Sequence, residues 1–457
     1  MSWSEVQPRH WQRPLGENER MIKWIGDRSH PADREHWSIT VIGTFTLWGS
    51  LKDSDILPKV RNAWKLLRFQ HPSIASTAGT DVLDYLIPDH TALEQWASET
   101  LHVISDATIT AGDLVPDLKP SPYVTGYFLP HTGEFVLHTA HWRTDGPGAL
   151  QLLNAFFVAL ASDEDSATLA WGEEHVRLAP SIEEVLELPE KATPEIQAAT
   201  AECLKSGALV AGSIGLPFRA DPDIRPGRTN MIRRRLSEAT SNAILARCKE
   251  RGIKPLSAIH ASLAAANFAG SASSPDGTGH YTSTMRFSLR PYLRKPFDSA
   301  QYASALYTGS YMAKVAPDSS WEENATQYDK LYTAGLSREF LIARRQFALQ
   351  VNGLLQRTGQ LGPPRSEVDI SSIEDGDKLV TQVHYFGGGR EGGLEVLDFS
   401  LGLESTSKES YLVFWTYRGR VELNLVYNEA FYDQAVMVGI LDTLEGSLRK
   451  ALQVEGS

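Results

Sequence analysis

A histidine and an aspartate four residues apart, His141 and Asp145, carry the types and spacing best suited to chemistry in this chain. They lie in the run 133–153, Gly-Glu-Phe-Val-Leu-His-Thr-Ala-His-Trp-Arg-Thr-Asp-Gly-Pro-Gly-Ala-Leu-Gln-Leu-Leu. An imidazole titrates near neutral pH, so it is the usual side chain for taking a proton from a hydroxyl or an amine. An ionised Asp145 can hold a turn or orient the ring without touching a substrate. Gly146 and Gly148 allow a substrate or a helix backbone to approach closely. The chain has no Gly-x-Ser-x-Gly elbow, and no obvious Ser or Cys nucleophile adjoins the histidine. That favours direct attack by a substrate hydroxyl or amine, deprotonated by His141, over a covalent acyl-enzyme.

The surrounding elements must hold this ring. From Phe135 the pattern alternates, so Phe135, Leu137, Thr139 and His141 share one face of a strand and His141 stands at its end. Asp145, Gly146, Pro147 and Gly148 stop the strand. Residues 149–161 are an apolar helical run, reached through a proline suited to a first helical turn.

The chain has 457 residues, enough for two lobes. Its net charge of −12 argues against nucleic acid or an anionic membrane as main partner. Two cysteines, Cys203 and Cys248, do not make a disulfide scaffold or a metal cluster. No His-Glu-x-x-His is present, so no metal is expected. No signal-peptide core and no apolar run of the roughly 18 residues needed to span a bilayer is seen, and the cytoplasm is the expected compartment.

Taken in order, residues 1–35 are polar and read as a surface wrap. A strand is expected over 37–48 and a helix over 56–67, ending before His71-Pro72. Residues 123–129 and 135–141 form a hairpin. Thr193-Pro194 opens a helix to about 206, and 209–228 read as a linker. These place an N-terminal lobe at 1–190, a crossover helix and linker at 191–212 and a C-terminal lobe at 213–457. In the second lobe, strands are expected over 229–236, 281–289 and 380–386. Helices are expected over 237–252 and 256–269, with a long one from a Ser320/Glu323 capping box to about 355. A hairpin over 412–417 and 421–427 and a closing helix over 433–452 end the chain. The mixture suggests α/β lobes built as mixed-sheet sandwiches, not a doubly wound parallel sheet.

The run His141-Trp-Arg-Thr-Asp145-Gly146 resembles the signature of the superfamily of chloramphenicol acetyltransferase, the plant-type BAHD acyltransferases and the peptide-synthetase condensation domains. Phe287-Ser-Leu-Arg290-Pro-Tyr-Leu293 resembles that family's segment ending in an arginine and a proline. Asp398-Phe-Ser-Leu-Gly402 is similar to a degenerate form of its late Asp-Phe-Gly-Trp-Gly motif. Trp171-Gly-Glu-Glu174 and Val426-Tyr-Asn-Glu-Ala-Phe-Tyr432 resemble fungal members such as the trichothecene O-acetyltransferases. The resemblance spans roughly 35–452. It implies two similar lobes with a tunnel between them, an acyl-CoA co-substrate (acetyl-CoA first) and a small-molecule alcohol as acceptor. His141 would be the general base, Asp145 a structural anchor paired with an arginine, and Arg290 and Asp398 a structural ion pair. A monomer is the expected state. Trp142, Tyr385 and Thr416 are the pocket candidates.

Ala140 stands where condensation domains carry a first histidine, which tilts the reading toward ester formation from acyl-CoA. The alternatives are a condensation-like enzyme that draws on a carrier protein or catalyses cyclisation, and a non-catalytic binding protein. Other groups read more plainly. His138 faces away from His141 and is a packed or exposed strand histidine. His260 lies in an Ala-rich helix as a core histidine. Gly387-Gly-Gly-Arg390, after His384-Tyr385, lacks the Lys-Ser/Thr of a phosphate loop and reads as a loop.

Overall fold

The strand expected over 37–48 forms over Ile39–Trp48 and is a central strand of a six-stranded sheet. The computed structural model describes residues 2–221, 224–271, 279–359, 365–389 and 391–455. Arg390, at the end of the triple-glycine run, lies outside the described residues. The sheet order is Val383–Tyr385, Gly392–Leu403, Ile39–Trp48, Glu134–Thr139, Thr125–Leu129, Leu101–Val103. All neighbours are antiparallel except the last pair, so the sheet is mixed.

One face of this sheet is covered by the helix Gly146–Leu160, with Ile56–Gln70 packed beside it. Phe135 stacks on Phe156 with ring centroids 3.7 Å apart, and Phe45 meets Phe157 edge-on at 5.2 Å. Gly43 sits under that ring: a Cβ there would lie 2.6 Å from Phe157. The opposite face buries Ile42, Val136 and Leu129 against Ala111 and Leu118. Residues 1–35 do more than wrap a surface. Ser4–Gln7 and His10–Pro14 join Val82–Leu86 and Thr77–Ala78 in a separate four-stranded sheet, and Glu17–Asp27 is a helix.

The chain divides into two units, and both are discontinuous. The first is Met1–Leu188, Ser288–Tyr307 and Asp377–Glu404; the second is Pro189–Phe287, Thr308–Gly376 and Ser405–Ser457. A C-terminal lobe running unbroken from 213 is therefore corrected, because two later segments return to the first unit. The cause of one return is visible in the register. Gly392–Leu403 pairs with Ile39–Trp48 from Gly393 opposite Trp48 to Leu403 opposite Ile39. A buried strand must satisfy its backbone polar groups, and here the partner comes from the far end of the chain. The helix Pro194–Gly207, capped by Thr193, belongs to the second unit.

The second unit holds the mixed sheet Val368–Asp375, Ser410–Tyr417, Arg420–Asn428, Thr229–Arg235, with a parallel first pair. Glu238–Glu250, Pro255–Gly270 and Gln434–Leu452 bury Ile244, Ile259, Leu263, Leu441 and Leu444 in one core with Leu412, Leu423 and Leu425. Tyr281–Ser288 and Thr308–Val315 pair separately. The long helix expected from Ser320 is two helices, Trp321–Ala334 and Arg338–Thr358. Gly335 separates them at φ 65, a conformation that ends a right-handed helix.

Both of the histidines expected to be merely packed are buried. His138 Nδ1 lies 2.8 Å from Thr40 Oγ1, and burial pushes its pKa down to about 4. His260 lies 2.8 Å from Ser283 Oγ and 3.0 Å from the Tyr332 hydroxyl and stacks on Tyr328. Burial takes its pKa down to about 3. Free histidine titrates near 6.5, so below that pH the unfolded chain binds protons the folded chain refuses. The stabilisation is complete above pH ~6.5 and is lost as pH falls toward the folded values, at up to about 1.4 kcal/mol per pH unit per histidine. Urea titrations between pH 7 and pH 5 should show that fall, and it should be shallower in His138→Gln and His260→Gln. An identical slope in both variants would remove these residues as its source.

Candidate active site

The strand Glu134–Thr139 ends two residues before the histidine. Ala140–Thr144 form a turn, in which the Arg143 N–H donates to the Ala140 carbonyl at 3.2 Å. His141 thus stands on a turn and not on the strand face expected for it. The helix explains this. It begins at Gly146, three residues earlier than the apolar pattern marks, because Asp145 caps it. The reversal must then be completed within 140–144. Trp142, Arg143, Thr144 and Asp145 are buried, while His141, Gly146 and Pro147 are half-buried.

The imidazole is oriented by its own turn. His141 Nδ1 lies 2.9 Å from the Thr144 carbonyl oxygen. A carbonyl can only accept, so Nδ1 carries the proton and, in the neutral ring, Nε2 carries the lone pair. Thr144 is fixed in turn, its hydroxyl donating to the Ala303 carbonyl at 2.7 Å.

Asp145 has other work. One oxygen accepts from Gly148 N–H at 2.9 Å, which caps the helix. Arg290 Nη1 donates to both oxygens, at 2.8 and 2.9 Å, and Tyr307 N–H donates to Oδ2 at 2.9 Å. Both side chains are buried, with 6% of Arg290 and 3% of Asp145 exposed. The Arg290–Asp398 pair implied by the family resemblance is therefore corrected: the partner of Arg290 is Asp145. A buried guanidinium needs a carboxylate whose remaining lone pairs are also satisfied, and the two backbone N–H groups at Asp145 provide that. Asp398 lies mid-strand beside a bulge, opposite Thr44. Gly148 has a steric reason to lack a side chain: a Cβ there would lie 2.3 Å from the Ala303 oxygen.

No protein-family model matches the chain. Over 458 residues it is 49% identical to the acetyltransferase pigO of Monascus ruber, covering 99% of both chains. The chain belongs to this family of fungal acetyltransferases. The O-acetyltransferase pigM of Monascus ruber is 29% identical over 457 residues, covering 100% of this chain and 88% of that one. Among solved structures, the TRI3 trichothecene 15-O-acetyltransferase of Fusarium sporotrichioides matches with a TM-score of 0.81 at 18% identity, over 98% of this chain and 97% of that one. At that identity the likeness is one of fold, a mixed α/β fold. The protein is an acyltransferase.

The three pocket candidates of this acyltransferase stand in three different settings. Trp142 packs with Leu15, Leu83 and Ala140 in a buried cluster, under the Arg143 guanidinium at 4.3 Å. Tyr385 is 48% exposed on the edge strand, edge-on to Trp48. Three strand spacings separate that edge from Glu134–Thr139, roughly 14 Å. Thr416 lies in the second unit, donating to the Glu374 carbonyl at 3.2 Å.

Two residues that sequence reasoning passed over hold the turn. Arg143 donates to the Ser73, Ser76 and Pro122 carbonyls at 2.8–2.9 Å, and burial lowers its pKa to about 10. The available signal is a lone arginine between the histidine and the aspartate of the motif. Tyr307 acts through its backbone, which leaves no signal in residue type. Asp145→Asn keeps the shape and removes the charge that neutralises Arg290. It should cost on the order of 3–5 kcal/mol in urea denaturation, the range for breaking a buried pair. Wild-type stability in Asp145→Asn would deny the pair its anchoring role.

Proposed function

We propose that this protein transfers an acyl group, acetyl in the first instance, from acyl-CoA to a hydroxyl of a fungal secondary metabolite of the terpenoid or polyketide kind, with His141 as general base. The observation that carries the reading is the bond from His141 Nδ1 to the Thr144 carbonyl. It leaves Nε2 as the basic nitrogen on a half-buried ring. The choice of oxygen as acceptor atom draws support from the O-acetyltransferase names of pigM and TRI3, and the metabolite class from the trichothecene in the latter.

In this reaction Nε2 takes the hydroxyl proton as the oxygen attacks the thioester carbonyl. The tetrahedral intermediate collapses with cleavage of the C–S bond. The imidazolium returns its proton to the departing thiolate, giving ester and free coenzyme A. Asp145 and Gly146 act on the framework: the carboxylate anchors the turn, and the glycine opens the helix. Ala140 is buried with Trp142, where a condensation domain has its first histidine, and this supports free acyl-CoA over a carrier-bound donor.

The test is coenzyme A release from acetyl-CoA across a panel of fungal terpenoid and polyketide alcohols. Wild-type protein should turn over with free acetyl-CoA, and His141→Ala should lose on the order of 10²–10⁴ in rate while keeping its melting temperature. Full activity in His141→Ala would end the mechanism. Turnover only with a carrier-bound thioester would favour the condensation-like alternative.

A further inference from the structure

The helix Glu17–Asp27 ends with two carboxylates and an imidazole turned toward one point. His30 Nε2 lies 3.7 Å from Asp27 Oδ1 and 3.7 Å from Glu35 Oε2. One donor atom from each of the three residues falls within 4.8 Å of the other two. The spacing, Asp-x-x-His-x-x-x-x-Glu, is none of the metal signatures a sequence scan seeks. The backbone makes the arrangement. The Gly26 carbonyl accepts from both Ser29 N–H and His36 N–H, at 3.2 and 3.3 Å, closing the loop at its neck. Inside it His30–Ala32 is a 3-10 turn, and Asp33 stands in the left-handed region at φ 59.

Glu35 is the second observation. It is 5% exposed, yet no hydrogen bond reaches its carboxylate among the described residues, and its nearest charged partner is the His30 ring at 3.7 Å. A buried carboxylate without donors is costly unless it takes up a proton or a cation faces it, and burial pushes the Glu35 pKa up to about 7. Lys23 and Arg143 act on the Glu35 charge, and neither forms an ion pair with it. Lys23 bonds Asp27 through Oδ2, leaving Oδ1 toward His30. Arg143 contributes charge, but its terminal nitrogens are spent on the carbonyls of Ser73, Ser76 and Pro122.

We propose that Asp27, His30 and Glu35 bind one first-row divalent cation of the zinc class, through Asp27 Oδ1, His30 Nε2 and a Glu35 oxygen. An ion about 2.0–2.1 Å from N and O ligands sets tetrahedral ligand atoms roughly 3.4 Å apart. The two 3.7 Å separations from His30 Nε2 need close by only a few tenths of an ångström, and the Asp27 and Glu35 oxygens, which lie within 4.8 Å of each other, are drawn in by the ion. The mixed nitrogen and oxygen donor set suits zinc better than calcium or magnesium, which favour oxygen alone. Two carboxylates and a neutral imidazole carry a charge of −2, matching the ion. Its role is structural: it pins the loop that leads into Ile39–Trp48. The proposal stands apart from the acyl-transfer reading, because none of its three ligands is in the run 133–148.

The experiment uses tag-free full-length protein dialysed against EDTA and then zinc chloride alone. Calorimetry and elemental analysis should find one zinc per chain, with a rise in melting temperature. His30 is 43% exposed on its side chain, so His30→Ala removes a ligand without emptying a core. It should weaken zinc binding by about 100-fold or more, the upper range for disturbing even an outer-shell partner. Glu35→Gln should do the same, and His141→Ala should bind zinc as the wild type does. Wild-type protein that takes up no zinc would overturn the site, as would zinc affinity unchanged in His30→Ala.

Discussion

The carboxylate of Asp145 is the point on which the first unit's arrangement depends. It is at once the cap of the helix Gly146–Leu160, the counter-ion of Arg290 and the acceptor of the Tyr307 N–H. A charge buried so deeply survives only when every lone pair is met, and two of the four donor contacts come from one residue about 145 positions downstream. The segment Ser288–Tyr307 is therefore required where it is. Once it is there, Ala303 receives the Thr144 hydroxyl and leaves no room for a side chain at 148. The Thr144 carbonyl, held in this way, is what orients His141. Asp145 governs the imidazole at one remove, through the chain between them.

The sheet provides the rest of the rigidity. Glu134–Thr139 is paired on both edges, with Ile39–Trp48 and Thr125–Leu129, so the strand that delivers the turn cannot slide. On its helix side Phe135 and Phe156 stack, tying the strand to the helix that begins just after the turn. His141 therefore hangs between two elements that are packed on each other. Arg143 ties the same turn to the carbonyls of Ser73, Ser76 and Pro122, and Trp142 closes the space beneath. A site of this kind is stiff because the elements around it are, although its own residues lie in no regular structure.

What could be read from the chain alone was local. The hairpin into the motif, the helix after it, the Thr193 and Ser320 caps and the closing pair of strands rest on neighbours within a few residues, and they formed within a few residues of their expected bounds. The sequence marks only a motif within the long strand Gly392–Leu403, because its glycines and its bulge at Val396/Asp398 blur the alternation. The two returns of the chain to the first unit left no mark in composition. The partner of Arg290 is not legible for the same reason: residue type and order show that a buried arginine needs a carboxylate, and only the fold decides which. His141 was found on its spacing, but its tautomer depends on a backbone carbonyl, and every residue has one.

The division of labour within the motif has a chemical consequence for the proposed reaction. Asp145 is engaged by Arg290, Tyr307 and Gly148, so it does not serve the imidazole as the aspartate of a serine-protease triad does. The Thr144 carbonyl, an uncharged acceptor, sets the tautomer instead. A neutral acceptor steadies the ring while adding less to its basicity than a full negative charge would. That suffices when the electrophile is already activated. A thioester's leaving group is a thiolate, and thiols ionise near pH 8.5, so expulsion needs far less help from an acid than expulsion of an amine. A base positioned by its own turn, without a carboxylate partner, fits acyl transfer from a thioester better than it fits hydrolysis of an amide.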